Sequence, residues 1–457
     1  MAQRIFLIIG LFFIQCALAQ DYERIEKLAG LFLEQTNVPG FSMAISKEGD
    51  VVYSKGFGLA NVKASIPMDP TIQLRTASVA KVLTATAIGR LATEQKLNFD
   101  DPIGIHVPYI DVQYRNLTIR QLSGHTSGLK HRPNVTGYRN KQFAWMKETL
   151  PFITDPLLFE PGTDYQYSTN AFNLLGVIIE EVSGMPYEMY MKKHIFEPLE
   201  MRQTFAENIK KTNPKNAELY FLKKGKLLKE KLTSASYKLP GAGFRSTPTD
   251  LVKLTNAYSN GMISEEVVTQ MFQNNMLRNG KKTNVGITWR ISTDVYGNQA
   301  IEHAGSWRGT RTVLVYYPKE QLSIALMINT DCNILIEETA HIFAQLFRAE
   351  KKSFTPDVLE EKITIVFNSQ KGEERFGGSI QILGEEGIFK GEADNFLAEN
   401  SLLKISNTAY AMATEFGLLY LVMDKHKGFG GKAYAYTNRT EVNPKEKAPL
   451  VAFKIVE

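Results

Sequence analysis

The sequence predicts an α+β fold: an antiparallel sheet flanked by helices, beside an all-α lobe, with a small all-β domain at the C-terminus. Three observations predict it. Strand-like alternation occurs in 41–56 and again in 312–328, so one sheet is built from both ends of a large domain. Helical periodicity dominates the stretch between them. Beyond residue 350 only short alternating runs separated by glycine turns follow. The expected division is therefore a leader over 1–19, a main domain over 20–350 and a β-rich domain over 351–457.

The leader comes first. Met1-Ala2-Gln3-Arg4, an apolar run from Ile5 to Ile14 and Ala17-Leu18-Ala19 have the order of a secretory signal peptide, cleaved after Ala19. The expected location is secreted or periplasmic. A lipid anchor at Cys16 is the rival, disfavoured by Phe13-Ile14-Gln15. The run is too short to span a bilayer comfortably, so no transmembrane segment is expected after cleavage. Residues 21–36 then read as a helix with Ile25, Leu28, Ala29 and Phe32 on one side, stopped by Pro39-Gly40. Residues 41–46 and 51–56 form a hairpin across Lys47-Glu48-Gly49-Asp50.

A long apolar-periodic helix begins near Ser78 and runs to about Gln95, with Val79, Leu83, Ala87 and Leu91 at spacing four. A second follows Tyr165-Gln166-Tyr167-Ser168-Thr169-Asn170 and continues through Val182. Residues 312–317 and 322–328 are paired strands, and 335–349 a helix. Lys351 to Pro356 reads as a linker. Strands are then expected at 363–367, 378–382, 402–405, 418–422 and 450–455, making a small sandwich or barrel.

Composition excludes several functions. The chain has 457 residues, 44% hydrophobic and 22% charged, with a formal charge of +5. No basic run carries interleaved aromatics, so no nucleic-acid partner is expected. Cys16 and Cys332 are the only cysteines, and cleavage would leave one. The 7 histidines are scattered and no H-E-x-x-H or C-x-x-C occurs, so no metal or other cofactor is expected. Asn116, Asn134 and Asn438 stand in three-residue glycosylation sequons that chance also supplies.

The chemistry concentrates at Arg75-Thr76-Ala77-Ser78-Val79-Ala80-Lys81. A serine hydroxyl needs a neighbour to take its proton. Residues three apart share a helix face, so Ser78 and Lys81 would project together. A serine opening a helix also offers its own free N–H to an oxyanion. The same spacing recurs at Ser127/Lys130, in a glycine-flanked turn, and at Ser401/Lys404, but only Ser78 opens a long apolar run. His125 is a candidate base, although no acid stands at a supporting distance. The competing reading packs it under the helix, bonded to a backbone carbonyl.

Taken in order, Thr76-Ala77-Ser78-Val79-Ala80-Lys81, Leu122-Ser123-Gly124-His125-Thr126-Ser127-Gly128-Leu129, Pro161-Gly162-Thr163-x-Tyr165-x-Tyr167-Ser168, Gly241-Ala242-Gly243 and His303-Ala304-Gly305 resemble the serine β-lactamase and penicillin-binding-protein superfamily, in its class C–like branch. The resemblance covers about 25–348. It implies a serine β-lactamase/transpeptidase-like fold and an acyl-enzyme formed on Ser78. Lys81 and Tyr167 would share the proton work, which of them is the base being left open. The N–H groups of Ser78 and Ser306 would form the oxyanion hole. Thr169, Asn170, His303, Gly305 and Arg308 would line the substrate.

Two departures qualify this. Thr169 stands where the family usually has asparagine, with Asn170 one place on, and His303 stands where classical β-lactamases have lysine. A histidine is mostly neutral above about pH 6.5 and anchors a carboxylate weakly. Arg308 or Arg311 would have to supply that charge. The expected function is a secreted serine hydrolase acting on an ester, amide or D-peptide. Its substrate would be a small molecule or peptide, cell-wall-derived ones among them. The alternative is a non-catalytic scaffold or a peptidoglycan- or penicillin-binding protein that kept the fold.

Overall fold

A computed structural model describes residues 22–131, 140–223, 225–294, 296–348, 357–369, 372–391, 399–407, 409–422, 432–433 and 453–456. The expected leader with Cys16, the linker, and the sequons at Asn134 and Asn438 lie outside the described residues. The described chain divides into two compact units. Residues 38–332 make one; residues up to 37 group with those from 333 onward in the other.

The first unit holds a seven-stranded antiparallel sheet. Its strands are β1 (Gly40–Lys47), β2 (Asp50–Asn61), β3 (Ile66–Pro67), β4 (Arg290–Thr293), β5 (Gln299–Ser306), β6 (Arg311–Tyr317) and β7 (Leu322–Ile328), in the spatial order β3-β2-β1-β7-β6-β5-β4. The opening hairpin and the late strands meet as the sequence predicts, with Phe41 opposite Ile328 and Lys47 opposite Leu322. The short helix Pro248–Leu254 packs across β1, β2 and β7. Its N-cap is Thr247, which accepts the Asp250 N–H.

Helices α2 (Ala80–Thr93) and α3 (Asn170–Ser183) form the centre of the helical lobe. The apolar residues of α2 face every side, which is why Val82, Leu83, Ala87, Ile88 and Leu91 are all buried. Helix α3 ends where Gly184 turns left-handed (φ 69°) and its N–H caps the Glu180 carbonyl at 2.8 Å. The expected helix at Ser78 differs in one respect. Ser78 sits in a single 3-10 turn, Ala77–Val79, and the α-helix proper starts at Ala80.

In the second unit the strands are longer than the sequence suggests. They are β8 (Asp357–Ser369), β9 (Gly372–Gly384), β10 (Glu386–Gly391), β11 (Glu399–Ser406), β12 (Ala409–Thr414), β13 (Gly417–Val422), β14 (Lys432–Ala433) and β15 (Phe453–Val456), in one antiparallel sheet ordered β13-β12-β11-β10-β9-β8-β15-β14. Their alternation is blurred by glycines and charges, so β10 and β12 escape a reading from the sequence. Helix α1 (22–36) and helix α4 (Ile336–Arg348) belong to this unit, whereas the sequence suggests a boundary near 350. The reason is local. Phe416 accepts the Leu335 N–H at 2.8 Å, Thr339 Oγ1 accepts the Leu418 N–H at 3.1 Å, and Arg24 pairs with Glu385 at 2.6 Å. Ser401 lies in β11, with Lys404 buried further along the same strand.

Candidate active site

The segment that leads into Ser78 is held in place before that residue is reached. Leu74–Arg75 pairs with Phe244–Ser246. The Arg75 and Arg245 guanidiniums are both buried and both bind Glu207, at 2.7 and 2.8 Å. Burial alone would raise the Glu207 pKa, but the two guanidiniums outweigh it and hold it below its ordinary 4.5. The Arg75 carbonyl accepts hydroxyl bonds from Thr310 at 3.2 Å and Thr312 at 3.0 Å, which ties this segment to β6. Ala77 then adopts φ +44°, a left-handed conformation that costs an L-residue about 1–2 kcal/mol. Such strain has to be held by its surroundings.

Strand β5 supplies the opposite wall. His303 and Gly305 share one face of it, since strand side chains alternate. A Cβ on Gly305 would lie 2.6 Å from the Ser78 nitrogen and 2.8 Å from the Thr76 carbonyl oxygen. Only glycine permits the strand to approach the Ser78 backbone so closely.

Lys81 is fully buried. Its Nζ lies 2.9 Å from the Gly241 carbonyl oxygen and 3.4 Å from Ser78 Oγ. The ring centroids of Tyr167 and Phe172 are 4.8 and 5.2 Å from the same nitrogen. Burial, and then the positive charge of Arg290, push the Lys81 pKa well below 10.5. A neutral amine keeps a lone pair that can accept the Ser78 proton while an N–H donates to Gly241. The structure thus brings Ser78, Lys81 and Tyr167 together, and Tyr167 lies 6.3 Å from His303, ring to ring.

His303 is buried and its pKa is driven well below 6.5, first by burial and then by Arg290. Its Nδ1–H donates to the Ala304 carbonyl at 2.8 Å. It is a neutral side chain near the Tyr167 ring. His125 is likewise buried and shifted well below 6.5. Its Nδ1 accepts the Ser168 N–H at 3.2 Å, so the carbonyl partner expected from the sequence is replaced by a backbone donor.

The remaining candidates are placed as follows. Ser306 is exposed next to Gly305, and its hydroxyl donates to Asp331 at 3.2 Å. Thr169 is buried with its methyl turned to Gly241, and its N–H donates to the His131 carbonyl at 3.0 Å. Asn170 opens α3, buried, with no protein partner on its Oδ1. Arg308 binds Glu230 at 3.2 Å, so its charge is already compensated. Arg311 faces Ser306 across the hairpin. Ser127 is buried in its turn, where its Oγ accepts the Leu129 N–H at 3.4 Å, and Lys130 pairs with Asp155.

Three further groups close to the site are given no role by the sequence. Arg290 is a strand-end arginine in no motif, yet its charge bears on Lys81, His125 and His303 alike. The Gly241 carbonyl is main chain, and only the glycine pair around it hints at a close approach. Trp307 has the Arg75 guanidinium 4.3 Å and the Lys238 ammonium 3.8 Å from its ring centroid. Among the described residues no three His, Cys, Asp or Glu side chains converge to hold a metal ion.

This geometry can be set beside known proteins. The profile of the Beta-lactamase family matches residues 25–345. The chain belongs to the beta-lactamase family. This family member is 25% identical over 337 residues to "Protein flp" of Staphylococcus aureus (strain MW2), spanning 72% of this chain and 67% of that protein. The octameric penicillin-binding protein homologue from Pyrococcus abyssi superposes with a TM-score of 0.61 at 22% identity, over 95% of this chain and 100% of that one. A class C beta-lactamase superposes with a TM-score of 0.61 at 17% identity, over 73% of this chain and 97% of that one. The structural matches show that the beta-lactamase and penicillin-binding-protein fold is shared.

Proposed function

We propose that this protein is an exported serine hydrolase that forms an acyl-enzyme on Ser78. The observation that carries the reading is the Lys81 amine: buried, driven toward its neutral form, and within reach of Ser78 Oγ. The Ser78 proton passes to Lys81 Nζ as Oγ bonds to the substrate's carbonyl carbon. The carbonyl π electrons move to oxygen, where the N–H groups of Ser78 and Ser306 receive the charge. The carbonyl re-forms, the bond to the alcohol or amine breaks, and that leaving group takes the proton back. Tyr167, beside Lys81, is the second proton carrier. Water then attacks the ester on Ser78 and returns the hydroxyl.

Esters and small amides are placed ahead of β-lactams as substrates. The neutral His303 gives a carboxylate no cation, and Thr169 lacks the two donors of an amide. Arg308 would serve an anionic substrate only by giving up Glu230, so Arg290 is proposed as the alternative. Comparing Arg308→Ala and Arg290→Gln on an anionic and a neutral ester separates them. Within the described residues no helix is long and apolar enough to cross a membrane.

The test is intact-protein mass spectrometry after a fluorophosphonate or penicillin probe, with Ser78→Ala as control. One adduct on the wild type and none on the variant is the expected result. A wild type without adduct would return the protein to the class of binding scaffolds. A labelled protein is then assayed on p-nitrophenyl esters, nitrocefin and D-Ala-D-Ala peptides.

A further inference from the structure

We propose that His125 is the positioning residue for Tyr167, acting through the backbone on either side of it. The loop 125–131 runs alongside 158–169, and carbonyls of the first accept from the second. Gly162 N–H donates to Thr126 at 2.8 Å, Leu158 N–H to Gly128 at 2.8 Å, and Thr169 N–H to His131 at 3.0 Å. His125 contributes twice. Its carbonyl accepts the Gln166 N–H at 2.9 Å, and its imidazole Nδ1 accepts the Ser168 N–H at 3.2 Å. The residue before Tyr167 and the residue after it are thus both fastened to one side chain and its own main chain.

The ring completes the arrangement. It lies 4.4 Å from the Tyr167 ring and 5.5 Å from the Phe172 ring, the two aromatics that also surround Lys81 Nζ. His125 has φ +61°, a left-handed conformation that bulky residues avoid and that asparagine and histidine tolerate.

The same bonds exclude His125 as a base. A backbone N–H can only donate, so Nδ1 must hold a lone pair and the ring proton sits on Nε2. The lone pair is committed to Ser168, and the buried Nε2–H has no protein acceptor. The imidazole Nδ1 reaches a main-chain donor that no apolar side chain can satisfy.

This inference rests on the acyl-enzyme reading of Ser78, and the experiment keeps the two apart. Fluorophosphonate labelling rates and p-nitrophenyl ester kinetics are measured on the full chain for the wild type, H125N, H125Q and H125L, with circular dichroism as the check on folding. Asparagine places an acceptor at the δ position and accepts the left-handed backbone; glutamine carries its oxygen one bond further out. H125N should recover most of the rate. H125Q and H125L should lose about 10²-fold in kcat with KM little changed, the cost of a misplaced group. The decisive comparison is made in the Tyr167→Phe background, where H125L or H125Q should add almost nothing. Equal rates for H125N and H125Q, or a full additional loss in Tyr167→Phe, would overturn the positioning role. A wild type that takes no label would sink the acyl-enzyme reading, and this one with it.

Discussion

Lys81 is bonded more closely to the carbonyl oxygen of Gly241, at 2.9 Å, than to the hydroxyl of Ser78, at 3.4 Å. The carbonyl fixes where the amine points, and the serine receives what the amine has left. The proposed catalysis and the stability of the fold therefore make opposite demands on one side chain, because a buried amine without a carboxylate partner is costly to the fold.

Lys81→Met should reveal that conflict. Labelling of Ser78 is expected to slow by about 10²–10⁴-fold, the usual worth of a positioned base. The melting temperature should hold or rise, since an apolar chain of similar length removes a buried ionisable group. A variant that labels at the wild-type rate would strip Lys81 of its role.

The pH profile follows from the same burial. A base works unprotonated, so kcat/KM should climb through the Lys81 pKa and level off below the ordinary lysine value of 10.5. Arg290→Gln removes a repelling charge, raises that pKa and moves the climb to higher pH. An unmoved profile would mean that the Arg290 charge does not reach the amine.

Acid should weaken the fold through its buried imidazoles. His125 and His303 stay neutral when folded, their pKa values lying well below 6.5. Unfolded, they bind protons as the pH falls through about 6.5, so the unfolded state gains protons that the folded state lacks. Stability is lost from that point downward and is untouched by these groups above it. Urea midpoints at about pH 5 and about pH 7.5, compared with His303→Gln, would show whether the loss shrinks when one imidazole is removed.

Gly305→Ala should injure activity out of proportion to its size. The methyl group would fall 2.6 Å from the Ser78 nitrogen, and the strand carrying Ser306 would have to withdraw. A displaced oxyanion donor predicts a loss of about 10²–10³-fold in kcat. Activity within twofold of wild type would show that the approach is not needed.

Glu207→Gln should act on stability. It leaves the buried guanidiniums of Arg75 and Arg245 facing each other without their carboxylate. Breaking a buried pair from one side costs about 3–5 kcal/mol, which chemical denaturation would read directly. A cost below about 1 kcal/mol, the level of a surface pair, would contradict the buried arrangement.

What was legible in the sequence is what depends on short spacings. Ser78 and Lys81 are one helical turn apart, and Phe41 to Ser46 alternates plainly, so the nucleophile, its amine and the sheet edges can be read. Tyr167 is found by its motif. Arg290 and the Trp307 stack are illegible, and Gly241 is legible as a motif but not as the acceptor of Lys81, because each gains its meaning from a partner far away in the chain. The left-handed Ala77 is illegible for another reason: alanine is a good helix former, and its strain is imposed by neighbours. The terminal helices look like part of the larger domain because nothing in their own periodicity says which sheet receives them.

The bond between Lys81 and Gly241 joins residues 160 positions apart. Contacts so distant form late, after local helices, since the intervening chain must first be closed into a loop. A ribosome that has delivered Ser78 and Lys81 has made a harmless serine and an ordinary charged lysine. If Ser78 reacts as proposed, the chain stays chemically silent during synthesis and becomes reactive only when its fold is complete. Covalent labelling of Ser78 is then a gauge of the native fraction in any preparation.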